Sequence, residues 1–63
     1  MAEEDERTQA IAEIQQGKEL RKQGKVRSGL RRLISLGEIT PEEARVYYRL
    51  MSRGDFDSIE VPE

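Results

Sequence analysis

The sequence predicts an all-α protein: a small helical hairpin with a looser N-terminal helix and an irregular acidic C-terminal tail. Three observations carry this expectation. Helix-forming Glu, Gln, Ala, Lys, Leu and Arg dominate the N-terminal stretch. Apolar residues Val26, Leu30, Leu33 and Ile34 recur at helical spacing in the middle. The run Thr40-Pro41-Glu42-Glu43 then carries a complete helix-start signal. With 63 residues, a single domain is the ceiling, and its hairpin core is expected at about 26–53, with 1–4 and 55–63 flexible.

The first helix is expected from Asp5 or Thr8 to about Gln23. Ala10, Ile11 and Ile14 share a face, Leu20 falls slightly off it, and Gly17 weakens the centre by about 1 kcal/mol relative to Ala. This sparse anchoring makes it the loose element. Gly24 punctuates, and Ser28 is a candidate N-cap for a second helix running to Leu36; continuation of one helix through Lys25 is the alternative. Gly37 stands where a helix needs a left-handed residue to end.

The third helix is the best specified. Thr40 is placed to cap the N3 amide, Pro41 is pre-set for the first turn, and Glu43 completes a capping box. Ile39 and Ala44 form a small hydrophobic staple, and the helix should run from Pro41 to about Arg53 before Gly54. At 100° per residue, Ala44, Val46, Tyr47, Tyr48, Leu50 and Met51 cover an arc of roughly 200°, with Arg45, Arg49 and Arg53 as a basic strip opposite. That arc is wider than one short neighbour covers. In the tail, Phe56, Ile59 and Val61 are too few for an independent strand; Phe56 is expected to fold back on the hairpin, and an extended tail added to a partner's sheet edge is the alternative.

Charge is segmented although the net value is only −2. Lys18, Arg21, Lys22, Lys25, Arg27, Arg31 and Arg32 oppose only Glu19 in residues 18–32, while both flanking stretches are acidic. Such a block meets nucleic acid through phosphate neutralisation, or serves as a solvated face paired with the chain's own acids.

Composition removes many functions. Without Cys or His there is no disulfide, no thiol or Ser-His nucleophile relay, and none of the usual zinc sites. The glycines fit no phosphate-cradling loop, and Asp55 and Asp57 lack the further ligands of a calcium loop. No apolar run exceeds three residues, so no membrane span is expected, and the acidic start lacks the basic, then apolar, pattern of a secretory signal. A cytoplasmic, non-enzymatic protein with no cofactor, metal or small-molecule substrate is expected.

The segment Leu30-x-x-Leu33-x-x-x-Gly37-x-Ile39-Thr40-x-x-Glu43-Ala44, closing on Leu50-Met51, resembles the short C-terminal (SHOCT) helical-hairpin module. Ala44 stands where that family carries a bulky aromatic, and its usual lysine falls near Tyr48. The resemblance covers residues 30–51 and implies an oligomerisation or docking module without catalytic residues.

The function expected from these features is protein binding, as a small regulator, adaptor or inhibitor. Its partner would be another protein or a second copy of the chain, met by Tyr48, Met51, Arg49, Tyr47, Arg45 and Arg53. The alternative is a nucleic-acid-binding regulator that uses the basic segment 18–32.

Overall fold

The computed structural model describes residues 2–62, with side chains from Asp5 onward. It contains α1 (Ala2–Leu20), α2 (Gln23–Ser35), α3 (Pro41–Ser52) and one 3-10 turn over Phe56–Ser58. The all-α class is as the sequence predicts. Met1 and Glu63 lie outside the described residues, and α1 begins at Ala2, inside the stretch expected to fray.

The closest packing is between α1 and α2, which departs from the expected hairpin of the second and third helices. Ala10, Ile14 and Gly17 lie at i, i+4 and i+7 on α1 and face Val26, Gly29, Leu30 and Leu33 of α2, all buried. A Cβ added at Gly29 would stand 2.5 Å from the Ala10 carbonyl oxygen and 2.6 Å from Ile14 Cγ1. One added at Gly17 would meet Val26 Cγ2 at 2.6 Å. The missing side chains thus let the two backbones touch. Sparse apolar content made α1 look loose because the glycines count against a helix in isolation but let it pack closely here.

The α1–α2 break is also earlier than expected. Arg21 takes φ 55°, its amide donates to the Lys18 carbonyl at 3.3 Å, and the Lys22 amide donates to the Gly17 carbonyl at 2.8 Å. These are the paired bonds of a Schellman ending, with arginine in the left-handed seat that glycine usually fills. Gly24 is therefore not the terminator; it lies in the first turn of α2, and Ser28, the expected N-cap, is an exposed interior residue. The actual N-cap, Lys22, makes no side-chain cap bond.

The other ends follow expectation. Gly37 (φ 74°) and Gly54 (φ 73°) close α2 and α3 with the same pair of bonds. At the start of α3 the Glu43 amide donates to Thr40 Oγ1 at 3.1 Å, and the Thr40 amide donates to Glu43 Oε1 at 3.3 Å.

The tail is irregular apart from its single turn, yet it is not peripheral. Phe56 and Ile59 are buried with Ala10, Ile14, Val26, Leu30, Leu33 and Met51 in one cluster, and Val61 packs against it. The Lys18 ammonium donates to the Ile59 carbonyl at 2.7 Å, and the Tyr47 hydroxyl donates to the Glu60 carbonyl at 2.9 Å. Segment 55–62 thus crosses from α3 to α1 and closes the core; Phe56 folds back as expected, and Ile59 and Val61 pack with it.

Three substitutions test this packing in denaturant melts. Gly29→Ala should cost about 1–3 kcal/mol, because backbone atoms would have to move. Gly24→Ala, which meets nothing within 4 Å, should gain about 0.5–1 kcal/mol. Arg21→Gly should gain about 0.5–1 kcal/mol by relieving the left-handed residue.

Candidate functional site

The expected partner-binding residues separate into an inner and an outer set. Met51 is 2% exposed and belongs to the core, and Tyr47 is half-buried with its hydroxyl committed to the tail. Met51 is therefore covered by the chain's own core, in which Phe56 and Ile59 are buried with it, and Tyr47 packs against that core. Of that arc, Val46 is 57% exposed, and Leu20 on α1 is the other large apolar side chain so exposed. Tyr48 remains half-buried, while Arg45, Arg49 and Arg53 are exposed.

The basic segment 18–32 also divides, by which neighbour each side chain meets. Lys18 holds the tail carbonyl. The Arg21 guanidinium lies 3.4 Å from an Asp57 carboxylate oxygen. Lys25 donates to Gln16 at 3.1 Å, and Arg32 donates to Gln9 at 3.1 Å while lying 3.8 Å from Glu13. These cations sit toward α1 or the tail. Lys22 is exposed at the start of α2. The segment is therefore not a single basic surface.

Arg27 and Arg31 differ. With Tyr48 they line a shallow hollow between α2 and α3, while Arg31 also shares a second hollow with Arg32 and with Glu6 and Gln9 of α1. The Arg27 guanidinium carbon is 5.8 Å from the centre of the Tyr48 ring, within cation–π range. On α3, Arg45, Arg49 and Arg53 form an exposed strip that steps one turn at a time. Arg27 and Arg31 on α2 and Arg45, Arg49 and Arg53 on α3 are all exposed, and of these Arg27 and Arg31 line the hollow with Tyr48.

Their pairing sets these arginines apart. Arg7, Arg21 and Arg32 each have a carboxylate, from Glu38, Asp57 and Glu13 respectively. Arg27, Arg31, Arg45, Arg49 and Arg53 have none among the described residues. Arg27/Arg31, Arg45/Arg49 and Arg49/Arg53 are also like-charged i, i+4 pairs, each costing about 0.2–0.5 kcal/mol. The hollow of Arg27, Arg31 and Tyr48 was not evident in the sequence because its residues lie on helices separated by the 36–40 connection. The signal available was the i, i+4 repetition of arginine on both.

Other chemistry is sparse. Among the described residues no group of three or more acids is gathered as a metal site, and no helix is long and apolar enough to cross a membrane. Glu13 Oε2 is an inaccessible oxygen without a hydrogen bond, but the side chain as a whole is 27% exposed and faces Arg32. No family model, curated protein or solved structure matches this chain.

Tyr47 has the one resolved shift: burial first, then the Glu43 and Glu60 carboxylates, raise its hydroxyl above the usual 10.0. The folded state therefore holds this proton more tightly than the unfolded state. Its contribution to stability is complete below pH 10 and is lost as pH rises through the folded value. A Tyr47→Phe variant should lose about 0.5–1.5 kcal/mol at neutral pH, with the hydroxyl–Glu60 bond, and should fall less steeply than wild type in melts above pH 10.

Proposed function

We propose that the protein is a non-enzymatic binding module that works through the exposed arginines of α2 and α3. Its partner is a macromolecule that presents a series of anionic groups. The observation that carries this reading is that the five exposed arginines Arg27, Arg31, Arg45, Arg49 and Arg53 of α2 and α3 have no carboxylate partner among the described residues, while Arg7, Arg21 and Arg32 are paired. Arginine presents a planar fork that matches carboxylate and phosphate bidentately, so it suits anion capture better than lysine.

The expected apolar docking arc gives way to these arginines, since its inner part is occupied by the chain's own tail. Tyr48, Arg45, Arg49 and Arg53 keep their assignment, Arg27 and Arg31 join them, and Met51 and Tyr47 leave it. A small regulator or adaptor is the role that fits a module of this size without a cleft. A second copy is a poorer partner for these arginines, because stable interfaces centre on apolar contacts and the exposed side of α2 and α3 has none beyond Tyr48 and Val46. The SHOCT-like segment 30–51 supports docking in general terms and includes Arg31, Arg45 and Arg49.

Retention on a sulfated-polysaccharide column at 50 mM salt tests the reading. Despite its net charge of −2, wild type should be retained, and Arg45→Gln/Arg49→Gln should elute near the void with stability changed by no more than about 0.5 kcal/mol. The control Lys22→Gln/Lys25→Gln, outside this set, should be retained like wild type. Flow-through of wild type would overturn the proposal.

A further inference from the structure

We infer that segment 55–62 is an exchangeable strap, and that two copies of the chain form a dimer in which each strap seats in the core of the other. The surface involved is not the exposed arginines, so the inference is independent of the proposal above. The seat is specific to this segment. Phe56 and Ile59 are buried in one cluster with Ile14 of α1, Leu30 of α2 and Met51 of α3. The Lys18 ammonium donates to the Ile59 carbonyl at 2.7 Å, and the Tyr47 hydroxyl donates to the Glu60 carbonyl at 2.9 Å. The Arg21 guanidinium lies 3.4 Å from the Asp57 carboxylate. A matching occupant needs two apolar anchors three residues apart, an acid between them and carbonyls at the second anchor and beyond. Every copy of the chain carries that segment.

The strap does little to hold itself together. Among the described residues its internal backbone bonding is confined to the 3-10 turn, where the Ile59 amide donates to the Phe56 carbonyl at 3.1 Å. Segments held by side-chain packing with few backbone bonds lie at the low end of local stability. The α1–α2 pair, with its backbone contact at Gly29, lies at the other end. The strap therefore leaves its seat while that pair persists. The empty seat then exposes apolar surface from all three helices, and covering it again is favourable.

Exchange alters only the connection. Gly54 turns the chain from α3 into the strap at φ 73°, with its amide donating to the Met51 carbonyl and the Asp55 amide donating to the Leu50 carbonyl, both at 2.9 Å. Glycine takes negative φ as readily as positive, so straightening this turn forfeits those two bonds and little else. Each contact between strap and seat re-forms between copies, which is the balance that makes swapping an accessible route to dimers. The shared surface is centred on two buried apolar side chains from each strap, the layout of stable protein interfaces.

The deciding experiment refolds the full chain from denaturant at micromolar and at millimolar concentration and follows its mass by sedimentation. An equal mixture of differently isotope-labelled chains is refolded in parallel, so that NOEs between chains are seen apart from those within one. Wild type should be monomeric at micromolar and partly dimeric at millimolar concentration, with between-chain NOEs from both Lys18 and Tyr47 to Ile59 and Glu60. In Gly54→Val the added Cβ meets nothing within 4 Å, so the substitution penalises the left-handed turn alone and should tighten the dimer about tenfold or more. If that variant does not fold, the labelled wild type decides by itself. A wild type that stays monomeric at millimolar concentration overturns the inference. So does a dimer in which Tyr47 meets Glu60 within one chain, because the strap then either stays at home or travels together with α3.

Discussion

The contact on which the structure depends is the approach of α1 to α2 at Gly29. With the Ala10 carbonyl only 2.5 Å from where a Cβ would stand, the helices meet backbone to backbone, and their separation is set by the absence of side chains. A chain of 63 residues with 35% apolar content has little hydrophobic area to spend. Close approach uses that area well: Ala10, Val26 and Ile14, which are small to medium residues, become fully buried. Given this pair, Leu30 and Leu33 face the remaining open side, and α3 with the tail covers it.

The tail answers the problem of size without a disulfide or metal. Phe56 and Ile59 supply two of the larger buried side chains, and carbonyls on either side of the strap accept from Lys18 and Tyr47. The polar bonds orient the strap, and the apolar pair supplies most of its adhesion. The strap also covers the inner part of the apolar arc of α3, so what remains available to a partner is charged. Core closure and the character of the outer surface are therefore one event.

Local rules were legible in the sequence and distant contacts were not. The Thr40–Glu43 capping box, the start of α3 and the turns at Gly37 and Gly54 depend on neighbours within a few residues, and each forms as predicted. The α1–α2 turn did not follow its local signal. Gly24 has the composition of a terminator, but Arg21 takes the left-handed position because the register fixed at Gly17 and Gly29 ends α1 there. In the tail, the folding back of Phe56 was legible, but the burial of Ile59 and the packing of Val61 were not: three apolar residues cannot make a strand, yet they can complete a core assembled elsewhere. For the site, the strip Arg45, Arg49 and Arg53 was visible as a strip, whereas the place of Arg27 and Arg31 beside Tyr48 depends on how α3 packs on α2, a contact between residues far apart in the chain.

The lack of a carboxylate partner among the described residues gives these five arginines their significance. The chain does not lack acids, since its 13 acidic residues outnumber its 11 cations. Asp5, Glu6, Glu19 and Glu42 also stand without an ion pair to a described residue, so the unpaired arginines do not reflect a shortage of carboxylates. Surface pairs contribute so little to folding that stability alone exerts little pull to place an acid beside each arginine. Repeating arginine at i, i+4 goes further and is mildly unfavourable, costing about 1 kcal/mol over the like-charged pairs on α2 and α3. A small domain with few apolar contacts gains nothing internal from that arrangement. Features that oppose folding without a compensating contact concentrate where a protein meets something else, which is the argument for the proposed binding role of these arginines.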